Sequence, residues 1–208
     1  MTDNASAGDP HGATLDYYNR NAEPFREGTR DHDVSQNIDA LLSAIEGATP
    51  FDILDFGCGP GRDLTAFKAR GHNPVGLDGA AEFARMAREQ SGCEVLEQDF
   101  LALDLPPARF DGVFANATLF HIPRERIADV LRRLRATLKP RGVLFASNPR
   151  GNDEQGVTGG RFGCFWADET WCATVRAARF EEITRYWRPD GLPRDRQPWF
   201  ATVWRKTA

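Results

Sequence analysis

Nine residues constrain this chain most: Asp55-Phe56-Gly57-Cys58-Gly59-Pro60-Gly61-Arg62-Asp63. An apolar run, Phe51 to Phe56, leads into them, and Asp63 to Arg70 reads as a helix stopped by Gly71. A strand that turns into a helix through three glycines leaves its backbone bare, so a ligand can approach the main chain closely. The glycines fall at places 1, 3 and 5 of the turn, with Arg62 at the sixth place, where a dinucleotide-binding turn wants glycine. That spacing argues against a nicotinamide enzyme. No Gly-Lys-Ser/Thr follows, so a phosphate loop is disfavoured as well.

Around this turn, strands and helices alternate. Pro74 to Leu77, Cys93 to Leu96, Phe110 to Ala115 and Val143 to Ser147 read as strands. Ala80 to Gln90 and Arg124 to Leu138 read as helices, the second stopped by Pro140 and Gly142. The alternation predicts an α/β fold, a parallel sheet with helices on both faces. Helices come first: Leu15, Tyr17, Tyr18 and Phe25 lie among polar neighbours, and Val34, Ile38, Leu41, Leu42 and Ile45 recur at helical spacing, with Asp33 or Ser35 as cap and Gly47 as stop. After Ser147 the texture changes. Asn148 to Gly163, with five glycines, reads as a loop, Asp168 to Ala178 as a helix, and Phe180 to Trp187 and Phe200 to Arg205 as a long hairpin. The expected organisation is a disordered tail over 1–13 and one domain over 14–208, whose residues 14–47 form a helical lid.

Composition narrows the function classes. The chain has 208 residues, 41% hydrophobic and 27% charged, a globular balance. No run approaches the roughly 18 apolar residues of a membrane span. The 26 basic and 30 acidic residues give a net charge of -4, without the basic excess of a nucleic-acid binder. Cys58, Cys93, Cys164 and Cys172 are scattered with no C-x-x-C spacing, so no metal is expected and the thiols read as free in a reducing cytoplasm. Met1 to Ala13 lack the apolar core of a signal peptide, and a cytoplasmic location is expected. The expected partner is a small molecule, with neither nucleic acid nor membrane; monomer and homodimer remain equally open.

Three more carboxyl-terminal strand ends face the same crevice. Asp78 closes the second strand, 21 residues after Gly57 (78 - 57), where a carboxylate accepts hydrogen bonds from ribose hydroxyls. Gln98-Asp99-Phe100 follows the third, offering a carboxylate for an adenine amino group and a ring against the base. The fourth strand ends at Asn116. With these motifs in order, and with Leu138-Lys139-Pro140-Arg141-Gly142 before the fifth strand, the chain resembles class I S-adenosylmethionine-dependent methyltransferases from about Leu15 to Lys206. The resemblance implies a Rossmann-like fold of seven strands, ending in an antiparallel hairpin strand. It implies S-adenosyl-L-methionine as cofactor and S-adenosyl-L-homocysteine as product, without a metal. It also implies a cofactor set of Asp55, Gly57, Gly59, Asp78, Gly79, Asp99, Phe100 and Ala115.

Methyl transfer from a sulfonium asks the enzyme mainly for proximity and orientation. After the fourth strand the run Asn116-Ala117-Thr118-Leu119-Phe120-His121-Ile122-Pro123 lacks the Asn/Asp-Pro-Pro-Tyr pattern of adenine and amide methylation and looks like the small-molecule branch. Several segments are similar to the methyltransferases of ovothiol biosynthesis: Tyr17 to Ala22, Asp31 to Ile38, Phe114 to Ala117, Ser147 to Gly151 and Gly191 to Arg194. That resemblance implies methylation of a ring nitrogen of 5-thiohistidine. Val157-Thr158 and Phe165-Trp166 depart from its pattern. A zwitterionic imidazole would want a guanidinium for its carboxylate, with Arg26 and Arg150 as candidates. Asn148 or Asp33 would serve its amino group, and Tyr18, Asn116 and Phe120 the rest of its surface. His121 is the candidate base. His11 and His72 read as surface residues. The alternatives are another small-metabolite methyltransferase and a regulatory protein that binds the cofactor without turnover.

Overall fold

The computed structural model describes residues 10–208. Three helices, α1 (Pro10–Arg20), α2 (Ala22–Thr29) and α3 (Ser35–Ala44), precede the first strand. The alternation then runs β1 (Asp52–Phe56), α4 (Arg62–Ala69), β2 (Asn73–Asp78), α5 (Ala81–Ser91), β3 (Glu94–Glu97), β4 (Phe110–Asn116), α6 (Arg124–Thr137) and β5 (Leu138–Pro149). The chain closes with β6 (Glu154–Thr158), β7 (Arg161–Phe165), α7 (Asp168–Ala177), β8 (Phe180–Arg188) and β9 (Trp199–Lys206).

Seven strands form one sheet in the order β3-β2-β1-β4-β5-β9-β8. The first five are parallel, and β9 runs antiparallel to both β5 and β8. A parallel sheet covered on both faces needs strands that are apolar on both faces, which explains the continuous runs in β1 and β4. Leu54, Phe56 and Val113 pack on one side with Ile127, Leu131 and Leu134 of α6 and Trp171 and Val175 of α7. Ile53, Phe114 and Phe145 pack on the other with Ile38 and Leu41 of α3 and Phe67 of α4. From β1 the chain winds outward through β2 to β3, then returns to the opposite side of β1 with β4. The crevice at the carboxyl ends of β1 and β4 is therefore the topological switch point, where such sheets bind ligands.

The structure corrects two boundaries. The stretch expected as a loop, Asn148 to Gly163, contains the end of β5 and a two-stranded hairpin of β6 and β7, turning at Gly159-Gly160. Glycine content hid it: a glycine-rich strand shows no apolar alternation. Helix α1 starts at Pro10, four residues before the expected domain boundary at 14, and Pro10 to Ala13 belong to it. Its first turn is tied down, since Thr14 Oγ1 donates to Pro10 O (2.8 Å) and accepts from Phe162 N of β7 (2.8 Å). The rest of the expected tail, residues 1–9, lies outside the described residues. Among the described residues no helix is long and apolar enough to cross a membrane.

Candidate active site

The switch-point crevice deepens into a cavity of about 700 Å³, inside the range of roughly 300–1,000 Å³ usual for small-molecule sites. Gly57, Cys58, Gly59 and Pro60 line it from below. Gly57 and Gly59 take φ of 76° and 52°, left-handed values that penalise a side chain. A Cβ on Gly57 would lie 2.3 Å from Thr118 Oγ1 at the end of β4, in the space the bare turn leaves open.

Beside this turn, β2 delivers Asp78, only 7% exposed. Gly59 N and Ala80 N donate to its two carboxylate oxygens, each at 2.9 Å. Burial raises its pKa to about 6, against the pull of these backbone N–H groups. Each oxygen keeps acceptor capacity, as a carboxylate has about four lone-pair sites. Phe100 and Phe83 supply aromatic walls, and Leu15 of α1 completes them. The bare turn, the buried acceptor and the aromatic wall together leave the space and the acceptor capacity that an adenosyl ligand requires.

The lid helices close the cavity from above. Tyr18 of α1 contacts the rings of Phe25 and Phe83, at centroid distances of 5.6 and 5.3 Å. Its hydroxyl meets His121 Nε2 at 2.8 Å, and His121 Nδ1 meets Phe162 O at 2.6 Å. A carbonyl only accepts, so Nδ1 carries the proton, Nε2 is the acceptor, and the Tyr18 hydroxyl donates to it. Burial, with the Arg161 charge adding to it, lowers the His121 pKa to about 4. A neutral imidazole there holds Tyr18 in place and makes a weak base.

That shift has a measurable sign. The folded His121 stays neutral down to about pH 4, whereas its ordinary value is 6.5. Between these values the unfolded chain binds the extra proton, so stability falls as pH drops. His121→Asn keeps a donor for Phe162 O and cannot titrate. Between pH 7 and pH 4, wild type is expected to lose about 3 kcal/mol more stability than His121→Asn in urea unfolding. Parallel losses in the two proteins would mean that His121 titrates normally.

At the other end of the cavity, polar contacts join the lid to the sheet. Asn37 of α3 donates to Asn116 Oδ1 (2.9 Å) and accepts from the Tyr186 hydroxyl of β8 (2.8 Å). Arg62 binds Asp63 (2.7 Å) and donates to Thr29 O of α2 (2.8 Å). With Asn116 Nδ2 reaching Asp63 Oδ2 at 3.5 Å, five segments distant in sequence, α2, α3, α4, β4 and β8, are linked at this end of the cavity.

Residues 53–142 match a family described as a methyltransferase domain. That stretch, from β1 into β5 and less than half of the chain, is similar to methyltransferase domains. Among curated relatives, trans-aconitate 2-methyltransferase of Azoarcus sp. (strain BH72) is 36% identical over 117 residues, 55% of this chain and 45% of that enzyme. The 24-methylenesterol C-methyltransferase 2 of Oryza sativa subsp. japonica is 34% identical over 58% of this chain and 34% of that enzyme. The chain thus spans less than half the length of these two relatives. Among solved structures, the 1,6-didemethyltoxoflavin-N1-methyltransferase of Burkholderia thailandensis, bound to 1,6-didemethyltoxoflavin and S-adenosylhomocysteine, superposes with a TM-score of 0.78. That match covers 98% of this chain and 93% of the other at 22% identity, a likeness of fold.

Gly57, Gly59, Asp78 and Phe100 of the expected cofactor set line the cavity, as do Tyr18, Asn116, Phe120 and His121. Asp55, Gly79, Asp99 and Ala115 do not. Asp55 is 2% exposed in β1 beneath the turn, and burial pushes its carboxyl well above the usual range. Ala115 is buried in β4. Gly79 lies against Leu15, whose Cδ2 would be 2.9 Å from a Cβ there. Asp99 Oδ1 accepts from Leu101 N (2.7 Å) and pairs with His11 Nε2 (2.7 Å). His11 is therefore buried, at 8% exposure, and not a surface residue.

Three expected substrate residues face elsewhere. Arg26 pairs with Glu23 along α2. Arg150 is held by Asp168 (3.1 Å) and by the carbonyls of Arg194 and Gln197. Asn148 follows Ser147, which lines the cavity, so strand alternation turns Asn148 away. In their place the cavity presents Arg62, Arg161 and Arg188. Arg161 went unread because its segment showed no strand pattern. Among the described residues no group of three or more His, Cys, Asp or Glu could hold a metal ion.

Proposed function

We propose that this chain transfers the methyl group of S-adenosylmethionine to a small-molecule acceptor, and that a ring nitrogen of 5-thiohistidine is the acceptor to test first. The observation that carries the first part is the switch-point cavity, with its bare glycine turn, buried Asp78 and lid-borne Tyr18. The cofactor supplies an electrophilic methyl group on a sulfonium. The chain's own residues bind and orient: the Gly57 to Pro60 backbone and Asp78 hold one ligand, and Tyr18, Phe120 and Asn116 border the space for a second. Excluding water and aligning two reactants supplies much of the rate in a displacement of this kind.

A weakly basic His121 suits an acceptor that already presents a lone pair, as a neutral imidazole nitrogen does. Four of the segments similar to ovothiol-pathway enzymes border the cavity, through Tyr18, through Asp31 to Val34 and Asn37, through Asn116 and Ala117, and through Ser147. The decisive measurement is S-adenosylhomocysteine formation by purified protein, with 5-thiohistidine, histidine and trans-aconitate offered separately. Product with 5-thiohistidine and little with histidine is expected. Product with trans-aconitate alone would make that compound, named in the Azoarcus relative, the acceptor. No product with any of them, in protein that binds the cofactor, rejects this acceptor.

A further inference from the structure

Three arginines line the cavity, and two of them are already engaged. Arg62 is bound to the Asp63 carboxylate and to Thr29 O. Arg188 donates to Asp33 O at 2.8 Å and faces the Asp33 charge. Arg161 differs. Its guanidinium lies 5.1 and 5.9 Å from the ring centroids of Tyr17 and Tyr18, a cation–π distance. Its charge opposes the rise that burial gives the pKa of the Tyr18 hydroxyl. Its Nε is buried without a hydrogen-bond partner, and among the described residues no carboxylate lies within salt-bridge distance of it. A half-buried guanidinium with a spare donor and no counter-charge is costly unless a ligand completes it.

The position is built, not incidental. Arg161 opens β7, and the next residue, Phe162, both donates to Thr14 of α1 and accepts from His121. The guanidinium is thus fixed at the seam of lid, hairpin and the turn after β4, beside Phe120 and Tyr18. We propose that Arg161 anchors an anionic group, a carboxylate or its equivalent, on the methyl acceptor, and so selects acidic or zwitterionic small molecules. This assignment rests on the methyltransferase reading above, and it takes the role expected of Arg26 and Arg150. A guanidinium matches a carboxylate with paired N–H donors, which fixes the acceptor's orientation as well as its charge.

The cofactor also carries a carboxylate, so the test separates the two sources. Protein saturated with S-adenosylhomocysteine is titrated calorimetrically with benzoate and with benzamide, flat probes of similar shape that differ in charge. Benzoate is expected to bind at least about tenfold tighter than benzamide, as a charged hydrogen bond allows. In Arg161→Gln that preference is expected to vanish, and in Arg161→Lys to survive in part. Melting temperatures check that both variants fold. Affinity for S-adenosylhomocysteine is expected to hold in both.

Equal binding of the two probes to wild type, or no benzoate binding, overturns the proposal. A preference that persists in Arg161→Gln overturns it too, and points to Arg188. Loss of S-adenosylhomocysteine affinity in Arg161→Gln, with benzoate unaffected, assigns Arg161 to the cofactor's amino-acid end. If wild type fails to bind S-adenosylhomocysteine at all, the methyltransferase reading falls, and this assignment with it.

Discussion

Asp78→Ala is expected to weaken S-adenosylhomocysteine binding by at least about 30-fold, the loss of one or two charged hydrogen bonds. The carboxylate orders the glycine turn through Gly59 N and caps the start of α5 through Ala80 N, so its removal loosens the floor as well as removing the acceptor proposed for a ribose. The pH dependence is specific. With a pKa of about 6 in the unliganded protein, Asp78 protonates on acidification and becomes a poorer acceptor. Affinity is then expected to fall by up to about tenfold per pH unit below 6, while Asp78→Asn stays flat. The effect on fold stability has the opposite sign. A carboxyl whose pKa is raised from 3.8 stabilises the unliganded fold below that value, and the contribution fades as pH rises through about 6. Calorimetric titration of wild type and Asp78→Asn from pH 5 to pH 8 checks the first direction, and urea unfolding of the two proteins over the same range checks the second. A flat affinity profile in wild type would remove Asp78 from the binding site.

Gly61→Ala is expected to cost about 3 kcal/mol of stability, from a strained φ and from overpacking. Gly61 has φ of 98°, and a Cβ on it would lie 2.8 Å from Cα of Ala87 in α5. That neighbour is backbone, which cannot swing aside. Gly71 is the control, because its φ of 80° is also positive but nothing lies within 4 Å of its Cβ position. Gly71→Ala is expected to cost about 1 kcal/mol, the left-handed penalty alone. For a chain of this size the two variants should differ by roughly 4–8 °C in Tm. Equal melting temperatures would show that α4 and α5 can separate freely at this point.

The resemblance carried the family and the seven-strand order; the periodicity carried the alternation. β1, β2, β4, α4, α5 and α6 appear where the apolar runs and glycine stops place them, because burial on both faces writes itself into consecutive residues. The hairpin of β6 and β7 was not legible for the reverse reason. Every residue of β6 is exposed, and β7 is buried at three consecutive residues, Phe162, Gly163 and Cys164, without alternation.

Taken alone, the sequence determined the α/β class, the cavity-lining glycine turn and the carboxylate of Asp78 at the strand end beside it. Each of these rests on local requirements: a positive φ that glycine meets, a strand end, a helix start. The tertiary structure decided the acceptor end of the cavity. Tyr18 and His121 meet across 103 positions of chain. Arg150, apparently free in sequence, is bound by Asp168, while Arg161 is delivered to the cavity wall. Side-chain pairing across such separations depends on how lid, hairpin and sheet pack together, and no local periodicity encodes which charge finds a partner and which is left for a ligand.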